Sequence, residues 1–303
     1  MGSGEQKIGK GRHAASGGKI MLRTLGKKLY PRSVVVVRQR YLSQFVKVRH
    51  EKHDKYCVAS VILNRPPVNS FDVAYTEELT RALKEIEKSE EVDGLILKSK
   101  NPSVFSSGLD LHDLYAQPRS HLELFWQCVQ DLWLQLYSSR LPTVAAVNGH
   151  CLAGGTILAA ACDYRVAVEG NYGIGVTAAK IGLIAPPWFL KMLTYVMGQR
   201  STEWALQLGH VFTPREAMGV GLVDKVCSKD MIDEECRRAL EPFLTVSAES
   251  RATMKLSLRA NLIDDFLGSR EEDMNNMVDF ILKDSVQSNL GKYMKQLKSK
   301  AKN

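Results

Sequence analysis

The stretch VAAVNGHCLAGGTILAAACDYRVAV, residues 144–168, constrains the fold of this chain more than any other. It opens on an apolar run, residues 144–147, with the length and composition of a buried strand. Asn148-Gly149 then turns the chain, and the pair Gly154-Gly155 leads into a helix of small side chains. A second β-rich run at residues 163–168 closes the unit. The sequence before it has the same rhythm. Residues 56–63, YCVASVIL, read as a strand that stops at the turn signal Asn64-Arg65-Pro66-Pro67. Asp72 is placed to cap a helix running to about Ser89, with Leu79, Leu83 and Ile86 on one face. Residues 92–98 read as a second strand, residues 101–108 as a loop, and residues 122–137 as a helix. Strands alternating with helices predict an α/β core. Beyond about Leu240 no strand is legible and the chain reads as helical to its end. The expected organisation is a leader at 1–43, a core at 44–240 and a separate helical region at 241–303.

Charge confirms that the leader stands apart. Twelve of the 41 Lys and Arg, but only one of the 33 Asp and Glu, fall in residues 1–50, so that segment carries +11 and the remainder −3. The basic character therefore belongs to the leader, and it weakens a nucleic-acid reading of the body despite the Lys-rich end KYMKQLKSKAKN. From Met21 the leader reads MLRTLGKKLYPRSVVVVRQRYLS, basic, acid-free and interleaved with apolar residues, which is the chemistry of a mitochondrial transit peptide. A disordered basic tail is the alternative. Residues 1–20, rich in Gly, Lys and Ser, read as a tag or an upstream extension. No apolar run approaches the roughly 20 residues of a membrane helix. The six cysteines have no CxxC spacing and sit in apolar surroundings, as buried reduced thiols do, and no His or Cys pattern supports a metal.

Gly173-Ile174-Gly175-Val176-Thr177-Ala178 matches a GxGxxA dinucleotide pattern. Such a loop needs a strand leading straight in and a long helix leading out. Here the strand ends at Val168, and Gly182 and Pro186-Pro187 break the segment where the helix should run. A Rossmann site is rejected.

Two other segments carry chemistry: FSSGLDL at residues 105–111 and NGHCLAGGTILAAACDYRVA at 148–167. Each puts glycine where a strand passes into a helix, so that backbone amides can point into a cleft. One amide from each loop would polarise a carbonyl oxygen. The same residues also serve as tight turns whose small side chains allow close packing.

FSSGLDL, NRPPVNS, AAVNGHCLAGGTILAAACDYRVA and KIGLIAPPW, in this order and spacing, resemble the enoyl-CoA hydratase/isomerase (crotonase) superfamily, and within it the mitochondrial enoyl-CoA delta isomerases. The resemblance runs from about Val58 to Lys298. It implies a spiral of ββα units with a C-terminal α-helical trimerisation region, a homotrimer or mixed trimer in the mitochondrial matrix, and an acyl-CoA ligand with no further cofactor. It implies that the thioester oxygen sits between the amides of Ser107 and Gly154, with the pantetheine arm and acyl chain along Ser107, Gly108, Leu109, Asp110 and Leu111. Residues 64–69 would shape the mouth through which CoA enters. Lys283, one helical turn from Phe280, would reach a CoA phosphate or else stand as a surface lysine.

The isomerase reaction removes a proton from C2 of a 3-enoyl-CoA, holds the dienolate oxygen and returns the proton at C4, and one carboxylate can perform both transfers. The family's carboxylate stands in a segment GLNETQLG, which aligns with GVTAAKIG, residues 175–182. Its Glu falls on Ala178 and the preceding Asn on Thr177. The second carboxylate of the hydratases falls on Ile157. Both carboxylate positions are empty. Lys180 lies about 200° around a helix from Ala178. Asp110, His112, His150 and Asp163 read as structural or surface groups. The sequence thus leaves open an isomerase of weak activity, a non-catalytic acyl-CoA-binding paralogue, or a regulatory subunit of a hetero-oligomer.

Overall fold

The computed structural model describes residues 44–53 and 56–300, and Gly2 alone ahead of them. The expected transit peptide lies outside the described residues. Residues Ser43–Asn303 cluster as one compact unit.

Six strands make the main sheet: β1 (Val46–His53), β2 (Tyr56–Leu63), β3 (Gly94–Ser99), β5 (Thr143–Val147), β7 (Tyr164–Val168) and β9 (Lys225–Cys227). They lie in that order, with β1 antiparallel to β2 and all other pairs parallel. A parallel sheet needs cover on both faces, which is why β2, β3, β5 and β7 read as nearly continuous apolar runs. Three short strands, β4 (Val104–Ser106), β6 (His150–Leu152) and β8 (Ile174–Gly175), form a second parallel sheet. This small sheet was not legible in the sequence, and it carries the loops of the site.

Helix α1 (Val73–Lys88) begins where expected. The Asp72 side chain accepts from the Tyr75 amide, and Leu79, Leu83 and Ile86 are buried. Each such burial contributes about 1.5–3 kcal/mol. Helix α2 (Arg119–Tyr137) is followed by the small-residue helix α3 (Gly154–Ala160), then α4 (Pro187–Met197), α5 (Gln199–Leu208) and α6 (Pro214–Gly219). Helix α7 (Ile232–Leu244) covers one face of the main sheet through Ile232, Cys236 and Leu240, which pack on Val58, Ile96, Val144 and Val166.

The rest is helical: α8 (Ala248–Ile281), 34 residues long, and α9 (Asp284–Lys300). Two carboxylates, Asp273 buried and Asp163 largely so, fasten α8 to the core. Asp163, at the head of β7, takes hydrogen bonds from the Thr143 amide and from Lys255 Nζ at 2.7 Å and Arg259 Nη2 at 2.9 Å. Asp273 of α8 takes the indole N–H groups of Trp126 (2.9 Å) and Trp188 (3.0 Å) and the Gln130 amide (2.8 Å). Removing one partner of such a buried set costs about 3–5 kcal/mol. No helix among the described residues is long and apolar enough to cross a membrane.

Candidate functional site

The loop after β4 and the loop before α3 meet at two glycines. Gly108 has φ +88, and a Cβ placed on it would stand 2.5 Å from the Gly154 nitrogen and 2.8 Å from Ala153 Cβ. A Cβ placed on Gly154 would in turn stand 3.2 Å from the Gly108 Cα. Only glycine permits this approach. Ala153, immediately before Gly154, has φ +49 and ψ −121, a conformation that costs an alanine about 1–3 kcal/mol and persists only where the surroundings enforce it. Its amide donates to Gly175 O at 2.8 Å. The Thr156 hydroxyl, donating to Cys151 O at 2.6 Å and accepting from the Gly175 amide at 3.1 Å, ties β6 to β8 beneath it. This strained turn immediately precedes the Gly154 amide that opens α3.

The two expected donors differ. The Gly154 N–H opens α3 and has no acceptor among the described residues, as the first amides of a helix do not. The Ser107 N–H donates to the Val68 carbonyl at 3.0 Å. A ligand oxygen has to share that amide in a three-centre bond or draw it away from Val68.

The NRPPVNS segment is knitted to this loop. Asn69 Nδ2 donates to Phe105 O at 2.9 Å, Ser106 Oγ donates to Asn69 O at 2.7 Å, and the Phe71 and Asp110 amides bracket a bridge between the two segments. Arg65 Nη2 reaches Asp110 at 3.0 Å and also pairs with Asp72. Asp110 further accepts from Ser70 Oγ, from the His112 amide and from the His112 ring. Burial pulls the Asp110 carboxyl upward, and the His112 and Ser70 hydrogen bonds with the Arg65 charge outweigh it, leaving it below the usual carboxylate range. Asp110 is an ionised group committed to holding its loop.

Above the glycines lies a cavity of ≈ 620 Å³, within the range of small-molecule sites. Ser107, Leu109, Asp110, Leu111, Gly154, Ile157, Thr177 and Ala178 all line it. Gly108, expected along the ligand, is not in the lining; it packs against Gly154 and Ala153. Trp126, Phe189, Met277 and Ile281 make the walls apolar near Ala178 and Ile157. The lining also carries the polar and charged side chains Arg65, Asp110, His112, Tyr293 and Lys298. Asp110 is the one carboxylate among the described lining residues.

The other candidates lie apart. Lys180 is exposed, outside the lining, and its stem runs past Gly209. His150 Nδ1 accepts from the Gly173 amide at 3.0 Å while its ring meets Tyr172 edge-on. Asp163 is engaged by α8. Lys283 is not in the lining; its Nζ lies 5.0 Å from the centre of the Phe280 ring. The sequence reading missed Tyr293, Met294, Leu297 and Lys298, which α9 brings over the cavity. Their only sequence signal is helical spacing in a Lys-rich segment. The GxGxxA segment forms β8 and a 3-10 turn (Ala178–Ile181), with no helix of the dinucleotide kind after it.

A sequence model described as Enoyl-CoA hydratase/isomerase matches residues 53–303. The chain belongs to the enoyl-CoA hydratase/isomerase family. It is 37% identical over 288 residues to "Enoyl-CoA delta isomerase 1, mitochondrial" of Mus musculus, spanning 95% of this chain and 99% of that protein. It is 38% identical to the Homo sapiens protein of the same name over 242 residues, 80% of each chain. The crystal structure of human mitochondrial delta3-delta2-enoyl-CoA isomerase superposes with a TM-score of 0.82 at 37% identity, covering 85% of this chain and 99% of that one. An enoyl-CoA hydratase from Bacillus halodurans, 23% identical, shares the fold with a TM-score of 0.73 over 80% of this chain and 98% of its own. The fold of the enoyl-CoA hydratase/isomerase family, with its parallel sheet and C-terminal helices, is therefore the fold of this chain.

Proposed function

We propose that the chain binds an acyl-CoA thioester in this cavity, in the manner of an enoyl-CoA delta isomerase, and that it moves protons poorly because Ala178 stands where the general base belongs. The observation that carries this reading is the composition of the wall. Ala178 and Ile157 both face the cavity beside Gly154, among apolar side chains, and the one lining carboxylate, Asp110, is held ionised by four groups. The thioester oxygen takes the Gly154 amide and a share of the Ser107 amide. The acyl chain runs along Leu109 and Leu111 past Trp126, and Thr177 lies beside the reacting carbons. Phosphates are met at the mouth by Arg65 and Lys298, with Lys283 further out.

Two polarising amides without a base give a site that stabilises an enolate oxygen but has nothing to form the enolate. An oxyanion donor supplies on the order of 3 kcal/mol. General-base catalysis, which is missing, supplies about 10² to 10⁴ in rate. A chain that binds without turnover fits equally a regulatory subunit of a mixed trimer. Exposed Met254 and Leu258 on α8 and Tyr195 on α4 support an assembly through the helical region, taken to begin near residue 241. The similarity to mitochondrial proteins and the basic leader support a mitochondrial matrix location.

The test is paired measurement on the full chain: binding of a saturated CoA ester by calorimetry, and conversion of 3-hexenoyl-CoA followed by absorbance of the conjugated product. Micromolar binding with slow conversion supports the proposal. Absence of CoA-ester binding overturns it.

A further inference from the structure

A second hollow lies on the main sheet, on the face that α7 covers only in part. Strand register builds it. Lys47 of β1 pairs with Ile62 of β2, Ile62 with Lys98 of β3, and Lys98 with Ala146 of β5, so these four side chains form one row across four strands on one face. Arg49 stands two residues along β1, hence on the same face. Lys100 lies just past the end of β3. Together they rim a hollow of ≈ 290 Å³ whose floor includes the buried Ile62, Ala146 and Ile232.

Its charge is unlike the rest of the body. Several cations elsewhere have an acidic partner, such as Lys88 with Glu85, Arg140 with Glu87, Lys191 with Asp265 and Arg270 with Asp131; others stand singly, and what sets the hollow apart is four cations on one rim. In the hollow only Lys98 has such a partner, Asp233 at 3.0 Å. Lys47, Arg49 and Lys100 have no carboxylate partner among the described residues. The face carries one other acid nearby, Glu51, opposite Val58 and outside the lining. Four cations and one carboxylate leave the lining at +3, in a body whose net charge is negative.

From this arrangement we infer that the hollow is an anion site for a phosphate-bearing small molecule, distinct from the acyl cavity. A single carboxylate would answer one or two of these cations, whereas a multiply charged phosphate answers all of them. Arg49 offers a planar fork to phosphate oxygens and the lysines offer point charges. The apolar floor suits the flat body of a nucleoside behind the phosphates. The hollow adjoins the acyl cavity through one wall: Asn148, in its lining, donates to Asn101 O at 2.8 Å, and Asn101 Nδ2 donates to Pro67 O at 2.7 Å, Pro67 lining the cavity. The phosphates thus come from one of two sources, a free nucleotide or the nucleotide end of a CoA ester.

The experiment uses the full chain, inorganic pyrophosphate and calorimetry, with Lys47→Gln/Arg49→Gln as the variant and Lys88→Gln as a control for general charge. Both altered side chains are exposed, and circular dichroism checks folding. Pyrophosphate is expected to bind, more weakly as salt rises, and the double variant to weaken it about tenfold or more while Lys88→Gln leaves it unchanged. Decanoyl-CoA and decanoyl-N-acetylcysteamine identify the source. Weakened binding of the CoA ester alone assigns the hollow to the nucleotide end of CoA. Unchanged binding of both assigns it to a separate nucleotide. No pyrophosphate binding at about 10 mM, or binding that the double variant leaves intact, overturns the inference.

Discussion

Gly108→Ala tests the meeting of the two loops. The backbone there has φ +88, where an L-residue costs about 1–2 kcal/mol. The added methyl would lie 2.5 Å from the Gly154 nitrogen, 2.8 Å from Ala153 Cβ and 3.0 Å from Leu152 O. Two of these are backbone atoms of a strained turn, so relief requires moving that turn, and overpacking of this kind costs about 1–3 kcal/mol. The sum, about 2–5 kcal/mol, corresponds to a fall in Tm of roughly 4–20 °C at 2–4 °C per kcal/mol for a large domain. The same displacement turns the Gly154 amide away from a ligand oxygen, and Kd for a CoA ester is expected to rise about tenfold from the lost hydrogen bond and the steric wedge. Gly268→Ala is the internal control. Gly268 lies on the exposed side of α8 with nothing within 4 Å of an added Cβ, so alanine there is expected to stabilise by about 0.5–1 kcal/mol. Thermal unfolding and calorimetry read both variants. A Gly108→Ala protein with unchanged Tm and unchanged CoA-ester affinity would refute the assignment of Gly108 as the joint that seats Gly154 in the site.

Asp163→Asn leaves Lys255 buried and Arg259 with a neutral partner, and should lower stability by about 3–5 kcal/mol in denaturant titration. Asp110 titrates below its ordinary value in the folded chain, so the unfolded chain binds more protons around pH 4. The stability Asp110 contributes is full above that pH and is lost as pH falls through the folded value, and Asp110→Asn should flatten the acid limb of the stability–pH curve. Met294→Trp narrows the cavity under α9, and should weaken decanoyl-CoA far more than butanoyl-CoA, by about fourfold for each methylene excluded. Cys128, Cys151, Cys162 and Cys236 are buried, burial pushing Cys128 and Cys162 up to about 12, so a thiol reagent should titrate Cys57 and Cys227 first and the other four only on unfolding.

The elements legible in the sequence were those whose burial is one-sided or complete. YCVASVIL stands as β2 because both of its faces are covered, and α1 because Asp72 caps a clean apolar stripe. Helix α3 was readable from Gly154-Gly155 and the alanines. Strand β1, VKVRHEKH, is an edge strand with a charged outer face, and its charges merged with those of the leader. Strands β4, β6 and β8 have two or three residues each, too short for any periodicity, and exist because the Gly-rich loops pair with one another. The loops of the site were visible as glycine spacing, and Ala178 and Ile157 as departures from a resembled motif. The roof was not: Tyr293 and Leu297 reach the cavity only because Asp163 and Asp273 fix the course of α8. The Val68 carbonyl, which engages the Ser107 amide, has no sequence signature at all.

Ala178→Glu is the decisive variant, because a site that holds a thioester and lacks only a proton carrier should be repaired by supplying one. The initial rate of 3-hexenoyl-CoA conversion would be measured for the unaltered chain and for the variant, with CoA-ester binding measured on both. Similar binding is expected, with turnover higher by about 10² to 10⁴ in the variant. Turnover in the unaltered chain that the variant does not exceed would contradict this, and would place the base on another residue.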